Sequence, residues 1–102
     1  MPSTIIAPYA RSAVIVDEAG NVLAAKNVTA VKKLGTGHYN VTVGNDIDTT
    51  IAAIQATIVR GAPSWYATVH IGTDPSNNNH IVDVWTGANG AASDQPFHLA
   101  VL

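Results

Sequence analysis

The 102-residue chain has no cysteine, one methionine and one glutamate, and only 12% of its residues carry a charge. Without cysteine there is no disulfide framework, no thiolate metal site and no thiol nucleophile. Five Lys and Arg against seven Asp and Glu give a formal charge of -2. That balance offers no positive field for a phosphate backbone or an anionic membrane surface, so neither nucleic acid nor membrane insertion is expected. No apolar run reaches the roughly 18 residues of a membrane helix, and the start Met1-Pro2-Ser3-Thr4-Ile5-Ile6 has neither the basic nor the apolar region of a secretory signal. A soluble chain is the expectation, with its compartment undetermined and a cell surface or phage particle as candidate settings.

The residues that are abundant point to sheet. Val (12), Ile (9) and Thr (10) make up 31 of the 102 residues, against four Leu. β-Branched side chains are stiff against a helical turn and pack well on a pleated surface. The pattern along the chain agrees. Ala13 to Asp17 and Val22 to Ala25 flank a Gly20-Asn21 turn and predict a hairpin. Asn27 to Leu34 alternates weakly and ends at Gly35-Thr36-Gly37. Beyond it Tyr39, Val41 and Val43 share one face, with Asn40 and Thr42 on the other. Trp65, Ala67, Val69 and Ile71 line one face of a further strand. In His80 to Thr86, Ile81, Asp83 and Trp85 oppose Val82 and Val84. Phe97, Leu99 and Val101 close the chain as core residues.

The stretch 47–59 reads two ways. Ile47, Ile51, Ile54 and Ile58 recur at helical spacing after an Asp48-Thr49-Thr50 cap, which favours a helix. A long strand with Ala52, Ile54, Ala56 and Ile58 inward is preferred, because its neighbours are strands. Residues 1–11 are expected to form an N-terminal arm and residues 12–102 an all-β, antiparallel β-sandwich of jelly-roll type with seven to eight strands. No repeat of fixed period interrupts it.

Several strands carry apolar residues on both faces, as Ala13 and Ile15 do against Val14 and Val16. Few charges are available to guard strand edges. Self-association is therefore expected, with a homotrimer favoured among closed symmetric assemblies.

The segments Ala10-Arg11-Ser12-Ala13-Val14, Val31 to Val43 with its turn-Gly-aromatic-x-Val-x-Val pattern, and Asp94-Gln95-Pro96-Phe97-His98-Leu99-Ala100-Val101 occur in that order. Together they resemble the C-terminal β-sandwich domains of unassigned function found in actinobacterial and phage-associated proteins. The resemblance implies a stable, often surface-displayed module without assigned catalytic residues. Those relatives often carry a cysteine in the middle strand and another at the end, and this chain has neither.

Candidate chemistry is sparse. None of the five serines sits in a nucleophile elbow, and no catalytic set is expected. His70, His80 and Asp83 have zinc-type donors but no known ligand spacing, and a structural role outweighs a metal site. Asp74 to Asn78 alternates oxygen side chains yet lacks the glycine and distal glutamate of a calcium loop. Gly87 to Gly90 lacks the lysine and helix of a phosphate cradle. No metal or cofactor is expected. The remaining candidate is a carbohydrate site made by aromatic rings and polar loops, with Tyr66, Asp74, Asn77, Asn78, Asp83 and Trp85 as its residues. The competing reading places both tryptophans in the core. A non-enzymatic structural or adhesive module is the leading functional expectation, and a lectin-like module is the alternative.

Overall fold

The structure, a computed structural model, describes residues 3–59 and 67–102. Its strands are β1 (Ser3–Thr4), β2 (Ser12–Val16), β3 (Val22–Lys26), β4 (Val28–Gly35), β5 (His38–Val43), β6 (Ile54–Ile58), β7 (Ala67–Asp74), β8 (Ile81–Ala88), β9 (Ala91–Ala92) and β10 (Phe97–Val101). One helical turn, α1 (Ser76–Asn79), joins β7 to β8. The chain is all-β: the strands form two sheets, ordered β1-β3-β2-β10-β6 and β4-β5-β8-β7, and β9 adds to the end of β8. All pairings are antiparallel except β1 on β3, and the two sheets pack together as a sandwich. Among the described residues eight strands are five residues or longer.

The inward stripes are those that the alternation marks. Tyr39, Val41 and Val43 of β5 and Val82 and Val84 of β8 meet Val14 and Val16 of β2 and the three inward residues of β10, Phe97, Leu99 and Val101. All are buried. Tyr39 packs against Phe97 with ring centroids 5.1 Å apart and a 59° tilt, an edge-on arrangement that aromatic quadrupoles favour. Its hydroxyl donates to Glu18 O at 2.7 Å. Burial, reinforced by nearby Asp94, pushes that phenol up to about 12, so it remains a donor.

The β2–β3 hairpin turns as its sequence indicates. Asp17 Oδ1 accepts from the amides of Ala19 (3.0 Å) and Asn21 (2.8 Å), and Gly20 takes the left-handed φ of 88° that glycine allows.

Two expectations are corrected. No helix forms over the isoleucine-spaced stretch, but the strand there covers only Ile54–Ile58, and residues 47–53 form turns. Ile47 and Thr49 are buried in those turns. Thr49 donates both its amide and its hydroxyl to Asn79 O, each at 2.9 Å, so loop-to-loop hydrogen bonds replace a ladder. The polar loops are also shorter than expected, because β7 continues to Asp74 and β8 to Ala88. The N-terminal arm lies along the first sheet. Its β1 extends the first sheet beside β3, and Lys26 Nζ holds Ala7 O at 2.9 Å. Ile5, Ile6 and Ala7 then share a hollow with Ala13, His98 and Ala100 on the outer face of that sheet. Ala13, which the sequence leaves in need of a partner copy, is only 2% exposed within the single chain.

A long-range polar tie fastens the β4–β5 turn to the last loop. Gly37 donates its amide to Asp94 Oδ1 at 2.6 Å and accepts from Thr86 N at 2.7 Å, and Lys33 Nζ lies 3.2 Å from Asp94 Oδ2. Gly37 has φ 68°, and a Cβ there would run into Thr86 O and the Ser93 backbone. Gly37→Ala is therefore expected to destabilise the fold by about 2 to 4 kcal/mol in urea titration. The Gly37 amide, aided by Lys33, holds the Asp94 carboxyl below its ordinary 3.8. A lowered folded value contributes stability above the unfolded value and loses it as pH falls through the folded one. Melting temperature should thus drop between about pH 5 and about pH 2, and Asp94→Asn should show a smaller drop, measured by thermal melts across that range.

Candidate functional site

Strand register builds the site on the outer face of the second sheet. His38 of β5 lies opposite Trp85 of β8, which lies opposite His70 of β7. The next row on the same face is Lys32, Asn40, Asp83 and Gly72, and beyond it come Thr42, Ile81 and Asp74. These residues alternate with the core residues of the same strands, so they point away from the interior.

Trp85 is 40% exposed and is not a core residue. The His38 ring stacks on it at 4.9 Å between centroids and 10° between planes. On the neighbouring strand, Gly72 leaves room for the indole: a Cβ there would sit 3.2 Å from Trp85 Cζ3. An aromatic ring at the surface is thereby fixed by a stacked imidazole and a missing side chain rather than by burial. Beside it, Thr68, His70, Gly87, Gly90 and Ala91 line a shallow hollow of about 290 Å³. That size lies at the small end for ligand sites.

The polar groups under the ring form an incomplete network. His38 Nε2 is 3.5 Å from Asp83 Oδ1, within ion-pair range but long for a hydrogen bond. His38 Nε2 and Asn40 Oδ1 are both buried without a hydrogen-bond partner. Unsatisfied buried polar atoms are uncommon, and hydroxyl groups or waters are the usual means of completing such networks. Chemically, the arrangement offers one apolar ring face flanked by acceptors and imidazoles.

The sequence candidates are distributed unevenly over this surface. Asp83 and Trp85 share the outer face of β8, and Asp74 lies on the same face opposite Ile81. Asn78 is exposed in α1 with φ 58°. It follows the end of β7 opposite Ile81, about 13 Å along the strand from Trp85 at 3.3 Å per residue. The Asn-rich turn thus begins well along the sheet from Trp85, because β7 runs on past Gly72 to Asp74. Asn77 also belongs to α1. Tyr66, with Trp65, lies outside the described residues. His38, Asn40 and Gly72 join the site without having been candidates, and His70 joins it after being weighed only as a zinc donor. The signal for His38 and Asn40 was present, since they alternate with Tyr39 and Val41.

His80 has a different task. Its Nδ1 donates to Ile47 O at 2.7 Å and holds the 47–53 turns in place. His70 stands opposite Trp85 in the middle of β8. Among the described residues no group of three His, Asp or Glu side chains is placed to hold a metal ion. The Asp46 and Asp48 carboxyls lie below their ordinary values because Asn27 and Thr50, respectively, donate hydrogen bonds to them, which is turn chemistry.

No family model, curated protein or solved structure matches the chain. The placement of Trp85 is testable by itself. Trp85→Ala should fold and lose about 1 to 2 kcal/mol from the stack, whereas Phe97→Ala should lose about 3 to 5 kcal/mol from the core, as read from paired urea unfolding curves.

Proposed function

We propose that this chain is a non-enzymatic β-sandwich binding module that takes carbohydrate on the open face of its second sheet. The observation that carries the reading is Trp85 itself, exposed at 40% yet held rigid by the parallel His38 ring. A pyranose presents an apolar C–H face and a rim of hydroxyls. An immobilised indole suits the first, and Asp83, His70 and Thr68 suit the second. Pre-ordering the ring lowers the entropic cost of binding, which matters for ligands with so little apolar surface. No proton or electron transfer is required of these groups.

A second reading, a self-associating structural or adhesive unit, is supported by a separate observation. The edge strands differ in protection. β4 carries exposed Lys32 and Lys33 and two register shifts, whereas β6 (Ile-Gln-Ala-Thr-Ile) has neither charge nor bulge. The two readings are compatible, since surface modules commonly bind through repeated copies.

Thermal shift against a panel of neutral and acidic oligosaccharides tests the first reading. At least one sugar is expected to raise the melting temperature by a few degrees, and Trp85→Ala is expected to abolish the shift while still melting cooperatively. Silence across the whole panel, or a shift that survives the substitution, would overturn it.

A further inference from the structure

Backbone hydrogen bonds in an antiparallel ladder alternate sides along each strand. Val43 N donates to His80 O and Thr86 N donates to Gly37 O, so the even-numbered residues of β8 serve β5 and the odd-numbered ones serve β7. Their partners on β7 are Thr68, His70, Gly72 and Asp74. The N–H and C=O groups of Ala67, Val69, Ile71 and Thr73 therefore point out of the sheet, along its last strand. No described residue bonds to them.

This edge lacks the guards that the β4 edge carries, although β6 lies alongside β7. Its eight pairs with β8 run without a register shift, and residues 67–73 include no proline and no Lys, Arg, Asp or Glu. The β4 edge of the same sheet, by contrast, has two lysines and two shifts. Ile71 also indicates an uncovered flank. It lies opposite buried Val84 on the inward face, and yet it is 37% exposed.

We infer that the outer edge of β7 is the self-association surface, and that its partner is β7 of a second copy, antiparallel about a two-fold axis at His70. That register uses every outward-directed group from Ala67 to Thr73 and forms about eight backbone hydrogen bonds. It sets Val69 opposite the second copy's Ile71, which covers the exposed flank, and Thr68 opposite the second copy's Gly72, where there is no side chain to clash. Such an isologous contact closes with two copies, so the stoichiometry is two rather than the three that the composition favoured. It also joins two outer faces into one, with the Trp85 backbones three strand spacings apart, about 14 Å. The inference rests on the self-association reading and places its surface on the β7 edge of the second sheet rather than on the β6 edge of the first.

The absence of native cysteine makes the test direct. In this register His70 faces its own copy in a non-hydrogen-bonded pair, whose Cα separation of about 4.5 Å permits a disulfide. Light scattering at about 100 μM should give twice the 10.6 kDa chain mass. Ile71→Lys should return 10.6 kDa, Leu34→Lys on the β4 edge should leave the doubled mass, and His70→Cys should cross-link on mild oxidation. A stable oligomer that survives Ile71→Lys and gives no His70→Cys cross-link overturns this surface and leaves self-association standing. A monomer at every concentration overturns both.

Discussion

The packing of β2 and β10 on β5 and β8 is the constraint from which the rest of the structure follows. These four strands occupy the middle of their sheets, and their inward side chains are Val, Tyr, Phe and Leu with essentially no exposure. A two-layer sandwich of this size has a single interior. Because alternate residues of a strand face opposite ways, filling that interior fixes what appears on both outer faces. A register slip of one residue would bury His38, Asn40 and Asp83 and expose Tyr39, Val41 and Val84, which ties the register of the second sheet to its surface chemistry.

The two outer faces are used differently. On the first sheet the face mixes alanines with His98, Gln55 and Thr57, and residues of the N-terminal arm lie over part of it beside Ala13. On the second sheet the face is polar and aromatic, and no described residue lies over Trp85 except the stacked His38. The surplus of apolar residues in the sequence is thus partly absorbed within one copy. The remainder is exposed at scattered positions, such as Ile6, Tyr9 and Ile51, and along the β7 flank. This places the case for association on the sheet edges rather than on the sheet faces.

Period-2 alternation made β5 and β10 legible residue by residue, and the Gly20-Asn21 turn marked the first hairpin. The isoleucines at 47, 51 and 54 suggest a helix that does not form, because their spacing has no common cause. Ile47 is buried, Ile51 is 85% exposed, and Ile54 lies half-buried at a sheet edge. Bonds from Thr49 to Asn79 and from His80 to Ile47 hold that region, each joining residues at least 30 positions apart. No local pattern encodes them. The Gly37–Asp94 tie, spanning 57 positions, is equally invisible in the sequence. In the site, alternation placed Asp83 and Trp85 on one face of β8, but sequence alone did not determine whether that face was covered. His70 and Gly72 became neighbours of Trp85 only through the β7–β8 register, which no single strand specifies.

Amide hydrogen exchange of the free protein tests the central packing claim most directly, since protection reports how much structure must open around each strand. The account predicts the slowest exchange at Val14, Val41, Val84 and Leu99, with β4 and the 47–53 turns exchanging well before them. Protection greatest in a continuous stretch through residues 47–58, with β5 and β8 exchanging freely, would contradict it.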